Sequence, residues 1–190
     1  TNIAGYFASQ GHNVMLGDAD TQQSSKLWLQ QRPDILPKIS TWEYEADLVL
    51  TAKPPQGTTH VVIDTPGGIH GWRLKEVILR ADKVIVPVMP SLFDMHATQD
   101  FLLQLVSITK GLPTDVRVIG NRIDARTISA SNLRKFVESL DVQVLSYLRD
   151  TQYYLHMAAH GLSLFDITPS KVAKDLEQWQ PICEWLDQDV

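Results

Sequence analysis

The sequence predicts an α/β fold, a mostly parallel sheet with helices on both faces. Three observations predict it. Short apolar runs alternate with amphipathic stretches along the chain. The apolar runs are continuous, without in/out alternation, so both faces of their sheet should be covered. Three of the runs end in acidic, glycine or amide residues, and function in such folds sits at the carboxyl ends of the strands.

Taken in order, Asn2 to Gln10 reads as a helix with Ile3, Ala4, Phe7 and Ala8 on one face and Gly11 just past its end. Val14–Met15–Leu16 is a short buried strand. Ser24 to Gln31 is a second helix that ends before Pro33. Residues 33 to 58, rich in Pro, Thr and Lys, give no clear period. His60 to Ile63 is a β-branched strand, and Trp72 to Arg80 is helical. Lys83 to Val88 is a strand, Asp94 to Thr109 a helix, Val116 to Gly120 a strand and Ser129 to Leu140 a helix. Val142 to Leu145 is a short final strand. In the tail, Val172, Leu176, Trp179, Cys183 and Leu186 recur at helical spacing, one face of a helix bent at Pro181. A length of 190 residues and the lack of a linker or internal repeat predict one domain over residues 1–190.

Composition narrows the function classes. No apolar run approaches the roughly 18 residues of a membrane span, and the first residues do not read as a signal peptide. One cysteine, Cys183, excludes an internal disulfide, a multi-thiolate zinc site and an iron–sulfur cluster held by this chain alone. A cytoplasmic protein is expected. A net charge of −5 gives no global pull toward nucleic acid, although Arg117, Arg122, Arg126, Arg134 and Lys135 form a local basic stretch. His156 and His160 share helical spacing but have no acidic residue between them, which favours packing or surface over a metal-protease pattern.

The strand ends carry the chemistry. The first reads Gly17–Asp18–Ala19–Asp20–Thr21–Gln22–Gln23–Ser24, the second Asp64–Thr65–Pro66–Gly67–Gly68, and the third Asn121–Arg122–Ile123–Asp124. Any one alone is turn chemistry; three at successive strand ends point to a ligand. A carboxylate such as Asp64 at a strand end can hold Mg²⁺ through its water shell, and Thr65 can add a hydroxyl. Gly67 and Gly68 let the backbone approach a γ-phosphate and swing when it leaves.

Val-Val-Ile-Asp-Thr-Pro-Gly-Gly, residues 61 to 68, resembles the Walker B and switch II segment of the ParA/MinD family of P-loop ATPases. Residues 17 to 24 resemble that family's Asp-x-Asp-Pro-Gln motif, with Thr21 in place of proline. Residues 86 to 94, Asn121–Arg122 and Tyr147 to Gly161 resemble further family segments. The likeness runs from residue 1 to about 186. It implies a P-loop NTPase fold, Rossmann-like and three-layered, with ATP and Mg²⁺ as cofactors. On this resemblance Asp20 positions the attacking water, and Asp64 holds Mg²⁺. Asp18 and Thr65 sit near the metal or switch, and Gly67 and Gly68 sense the γ-phosphate. Asn121 bonds the adenine edge and Arg122 stacks on it or closes the pocket. An alternative role for Asp20 is to cap the helix near Ser24.

The family's phosphate loop, Lys-Gly-Gly-x-Gly-Lys-[Ser/Thr], does not occur in these 190 residues. Thr1–Asn2–Ile3–Ala4 resembles the helix that follows it. The first strand and the loop are therefore expected to be absent from this stretch, which alone would bind ATP weakly or not at all. The competing expectation is a pseudo-ATPase that lost the loop. The resemblance further implies slow ATP hydrolysis that times a homodimer formed on ATP binding. The expected role is plasmid or chromosome partition, or cargo positioning, with a ParB-like activator and nonspecific DNA contact at the bacterial nucleoid. The acidic C-terminus disfavours membrane targeting. The alternative is a regulatory or scaffold module with the same fold and no turnover.

Overall fold

The computed structural model describes residues 1–42, 52–140 and 142–189. They fall into two compact units, Thr1–Arg73 with Gln152–Ala173, and Leu74–Thr151 with Lys174–Val190. Both units are built on parallel strands, and helices cover both sides, as the continuous apolar runs require.

The first unit opens with α1 (Asn2–Ser9), followed by β1 (Val14–Asp18), α2 (Ser24–Gln30), β2 (Ile39–Ser40) and β3 (His60–Asp64). Strand order is β2-β1-β3, all parallel. All five residues of the central strand β1 are buried, and β1 is the backbone of this unit's core. Trp42 packs on Met15, and its indole Nε1 donates to Lys53 O at 3.2 Å. The β1–β3 register runs from Val14↔His60 to Asp18↔Asp64, so the two aspartates end their strands side by side.

The unit is closed by α6 (Gln152–Ala159) and two short 3-10 turns, Leu164–Asp166 and Pro169–Lys171. Arg32, just beyond α2, donates Nη1 and Nη2 to the two Asp166 oxygens at 2.8 and 2.9 Å, and Nη1 also reaches Gly161 O at 3.2 Å. Trp28 Nε1 donates to Leu162 O. Gly161 takes a φ of +66°, and a Cβ there would meet the backbone of Gln31 and Arg32 at 2.3–2.5 Å. Only glycine satisfies both demands.

The second unit holds β4 (Lys83–Val88), α4 (Leu92–Thr109), β5 (Asp115–Ile123), α5 (Ile128–Glu138), β6 (Val144–Arg149) and α7 (Ala173–Leu186). Helix α3 (Gly71–Ile78) spans the point where the first unit's segment gives way to the second's. Strand order is β4-β5-β6, again parallel. Pro87, which has no N–H to give a ladder, sits on β4, at an end of that order. Ser91 and Thr127 start α4 and α5 by accepting Asp94 N and Ala130 N, as their side chains suit them to do.

Three expectations shift here. Strand β5 does not stop at Gly120 but runs to Ile123 through a bulge, with Arg122 at φ +53°. The last strand is Val144–Arg149, longer and later than Val142 to Leu145. Helix α7 continues through Pro181, and its buried residues are Asp175, Trp179, Ile182 and Trp185; of the expected stripe, Val172 and Trp179 are buried, whereas Leu176, Cys183 and Leu186 are only half-buried. The reason is an ion pair. Arg149 meets Asp175 through Nε–Oδ1 and Nη2–Oδ2, both 2.8 Å, and draws a charged position inward.

Candidate functional site

The carboxyl ends of β1 and β3 gather four oxygen-bearing side chains. Asp18 is only 3% exposed. Its Oδ1 accepts Asp20 N at 3.0 Å, and its Oδ2 accepts Ser25 N at 2.7 Å and Lys26 N at 3.0 Å. These last two are N–H groups of the first turn of α2, which α2's own N-cap residue, Gln23, leaves without a side-chain cap. Asp18 therefore caps α2 from the neighbouring strand end, and Asp20 does not. The Asp20 side chain instead closes a turn by accepting Gln22 N at 2.9 Å, while Gln23 Nε2 ties down the Asp18 and Asp20 carbonyls.

Asp64 is exposed, and Ser25 Oγ donates to its Oδ2 at 2.6 Å. Ser25 is the residue that sequence reasoning missed. The available signal was its place in the first turn of a helix that begins just after two aspartates. Backbone pairing continues past the strands, with Ala19 N donating to Asp64 O at 2.8 Å. The start of α1 lies close to the same carboxylates, within electrostatic reach of Asp64 and Asp18. The positive end of a helix thus adjoins the acidic strand ends.

Thr65 follows Asp64 directly, and Gly67 and Gly68 lie exposed in the turn beyond it. Gly68 has φ +78°, and open space surrounds both glycines where a Cβ would stand. His70 Nδ1 lies 2.8 Å from Gly68 O. Asn121 and Arg122 belong to the second unit, in the β5 bulge. Asn121 Oδ1 accepts Arg122 N at 3.0 Å, and Arg122 Nε lies 3.3 Å from Asp150 Oδ1. The structure thus brings Asp18, Asp20, Ser25 and Asp64 together within the first unit, and it places Asn121 and Arg122 in the other.

Among the described residues no three His, Cys, Asp or Glu stand together as a ready-made cation cage. The donor set nevertheless suits Mg²⁺, which is held by one or two carboxylates and keeps several waters. Asp64 offers an exposed carboxylate steadied from one side by a hydroxyl. The basic stretch is largely matched by acids: Arg117 pairs with Asp115 at 2.7 Å, Arg122 with Asp150 and Arg126 with Asp124 at 2.8 Å, and beyond the stretch Arg149 pairs with Asp175. Arg134 lies over the Tyr147 ring at 4.9 Å. No helix among the described residues is long and apolar enough to cross a membrane.

The fold has solved counterparts. The chain superposes on Cyanothece McdA in an ATP complex with a TM-score of 0.72 at 16% identity, covering 98% of this chain and 90% of that one. It matches a Borrelia burgdorferi plasmid partition protein bound to AMPPNP with a TM-score of 0.67 at 13% identity, over 96% and 90% of the two chains. The fold is that of the ParA/MinD-type P-loop ATPases. No protein-family model matches the chain. In sequence, the maintenance of carboxysome distribution protein A of Gloeobacter kilaueensis is 24% identical over 190 residues, 99% of this chain and 86% of that protein. ParA/MinD-type likeness therefore covers nearly the whole chain, at an identity that leaves the individual side chains to be argued from their own geometry.

Proposed function

We propose that this protein is a ParA-like ATPase that positions a cargo, with Mg–ATP bound at the carboxyl ends of β1 and β3. The observation that carries the reading is the register that sets Asp18 beside Asp64, with Ser25 bonded to both and the start of α1 facing them. Ligands in open parallel sheets bind at such strand ends, and phosphates favour helix N-termini. The McdA and plasmid partition neighbours, solved with ATP and AMPPNP, support a nucleotide there.

In this reading Asp64 holds Mg²⁺ through water, and Ser25 orients the carboxylate. When bound, the metal neutralises phosphate charge. Asp18 fixes the start of α2, which sets where Asp20 stands. Asp20, half-buried and tethered through Gln22 N, orients the attacking water. Thr65 adds a hydroxyl, and Gly67 and Gly68 report the γ-phosphate by backbone movement. Asn121 bonds the adenine edge and Arg122 packs on it. In the full-length protein the chain acts as a single ATPase domain in the cytoplasm, dimerises on ATP, and hydrolyses slowly to time dimer separation. A ParB-like activator and nonspecific DNA are its proposed partners. Since three arginines of the basic stretch are already paired, DNA contact falls mainly to Arg134 and Lys135.

The test is to measure ATP binding and turnover separately in the full-length protein. Asp20→Ala is expected to bind Mg–ATP with near-normal affinity and to lose turnover by 10²-fold or more, in the range of a lost general base or water-positioning group. Asp64→Asn is expected to lose Mg²⁺-dependent binding. Normal turnover in Asp20→Ala removes the catalytic assignment. Binding without turnover in the wild-type protein, with its activator and DNA present, establishes the scaffold alternative.

A further inference from the structure

Helix α6 ends in a pair of histidines. His156 lies in its last turn, and His160 follows directly after Ala159. The i, i+4 spacing sets the two on one face. Both residues are exposed, yet their rings stand together, with centres 4.6 Å apart and planes tilted by 50°. Burial does not drive that approach, since both face solvent.

One of the two rings has its tautomer fixed. His160 Nδ1 lies 2.8 Å from His156 O. A carbonyl oxygen can only accept, so Nδ1 carries the hydrogen and Nε2 keeps its lone pair. Bonding of this kind to a backbone carbonyl orients an imidazole and raises its basicity as a metal ligand at the other nitrogen. The position in the helix acts in the same sense. The carboxyl end of a helix carries a partial negative charge, which favours a cation.

We propose that His156 and His160 bind a zinc-class divalent cation through two imidazole nitrogens, with water in the remaining positions. Ligand chemistry selects the class, because imidazole suits zinc, copper and nickel, whereas magnesium and calcium take oxygen. The spacing of the rings fits it. Two Zn–N bonds of about 2.0–2.1 Å, opened to a tetrahedral angle, set the ring centres about 5 Å apart, and the exposed His156 ring reaches that from 4.6 Å by a small turn. No acidic residue lies between the two histidines, so the pair has no hydrolytic base and serves to bind. Structural zinc sites use four protein ligands, so a cation held by two exchanges with solvent. Its effect is local. His160 N and Leu162 N donate to Met157 O, and Gly161 N to Ala158 O. A cation across the pair therefore ties the last turn of α6 to the Gly161 turn, which packs on the backbone of Gln31 and Arg32.

The probe is Zn²⁺, titrated at neutral pH into the full chain with Mg²⁺ already in excess to occupy carboxylates, while the ring C–H resonances of the histidines are followed. Saturable shifts at His156 and His160 together are expected, with slower amide exchange at His160 to Leu162. Losing a group that only orients a ligand already costs about tenfold in affinity, so His156→Ala and His160→Ala should each weaken Zn²⁺ by about tenfold or more. His12→Ala should leave the affinity unchanged. Both side chains of the pair face solvent, so neither substitution removes packing. Absence of saturable shifts at the two rings overturns the proposal. So does an affinity unchanged in both variants, or the same shifts appearing with Mg²⁺ before Zn²⁺ is added. The pair shares no residue with the strand-end carboxylates, so its failure leaves the ATPase reading standing, and the reverse.

Discussion

Asp18 and Asp64 are a pair of identical side chains given different work by their surroundings. Asp18 is buried and spends its oxygens on three backbone N–H groups, whereas Asp64 is exposed and receives one hydroxyl. Replacing Asp18 with Ala strands the donors of Asp20, Ser25 and Lys26, and should destabilise the protein by about 2–3 kcal/mol, a lost helix cap plus unsatisfied buried groups. Ser25→Ala removes one hydrogen bond to an exposed carboxylate and should cost only about 1 kcal/mol. Urea denaturation of the two variants reads the difference. If Asp18→Ala is no less stable than Ser25→Ala, the capping role assigned to Asp18 is wrong. The aspartates themselves were legible in the sequence because an acidic residue ending an apolar run is a local signal. Ser25 was not, because its partner lies 39 residues away, and only the β1–β3 register brings the two together.

At the scale of elements, what decided legibility was whether a segment's conformation followed from its own residues. The apolar runs around Val14, His60, Lys83 and Val116 became strands as read, and the helix starts near Ser24 and Ser129 lie within a residue of their places. The failures have tertiary causes. A bulge carries β5 past Gly120, so Asn121 and Arg122 sit inside the strand's last stretch. The face of α7 is set by the Arg149–Asp175 pair, and no apolar period announces a buried aspartate. The connection from Gly161 to Arg32 is a third case. There the demand for glycine comes from the backbone at the end of α2, far off in sequence. Gly161→Ala must accept both a left-handed φ and backbone overlap, and the expected loss is about 3 kcal/mol or more. A lowered thermal midpoint measures it, and a variant with an unchanged midpoint refutes the packing described for that turn.

Among the described residues several charges are balanced by local ion pairs. Most such pairs are at least partly exposed and contribute little. One is not: the Arg32 and Asp166 side chains are 5% and 2% exposed. Burial alone would raise the Asp166 pKa, but the fork from Arg32 and the two donations from Ser163 outweigh it and hold the carboxyl below its ordinary value. A folded-state pKa below the unfolded one gives stability that is complete above the unfolded value, about 3.9, and is lost as pH falls through the lower folded value. Asp124, held at about 2 by Arg126, titrates in the same direction but on the exposed surface, where pairing adds little. The first unit should therefore loosen in acid around its closing turns. Below about pH 4, amide hydrogen exchange at Leu162 to Ile167 is expected to accelerate ahead of exchange in β1, and Asp166→Asn should flatten that dependence while lowering stability at neutral pH by about 3 kcal/mol, as for a buried pair that has lost one charge. Protection at those amides that does not change between pH 5 and pH 2, about the window in which a salt-bridged aspartate is lost, would mean that Arg32 and Asp166 do not hold the unit closed.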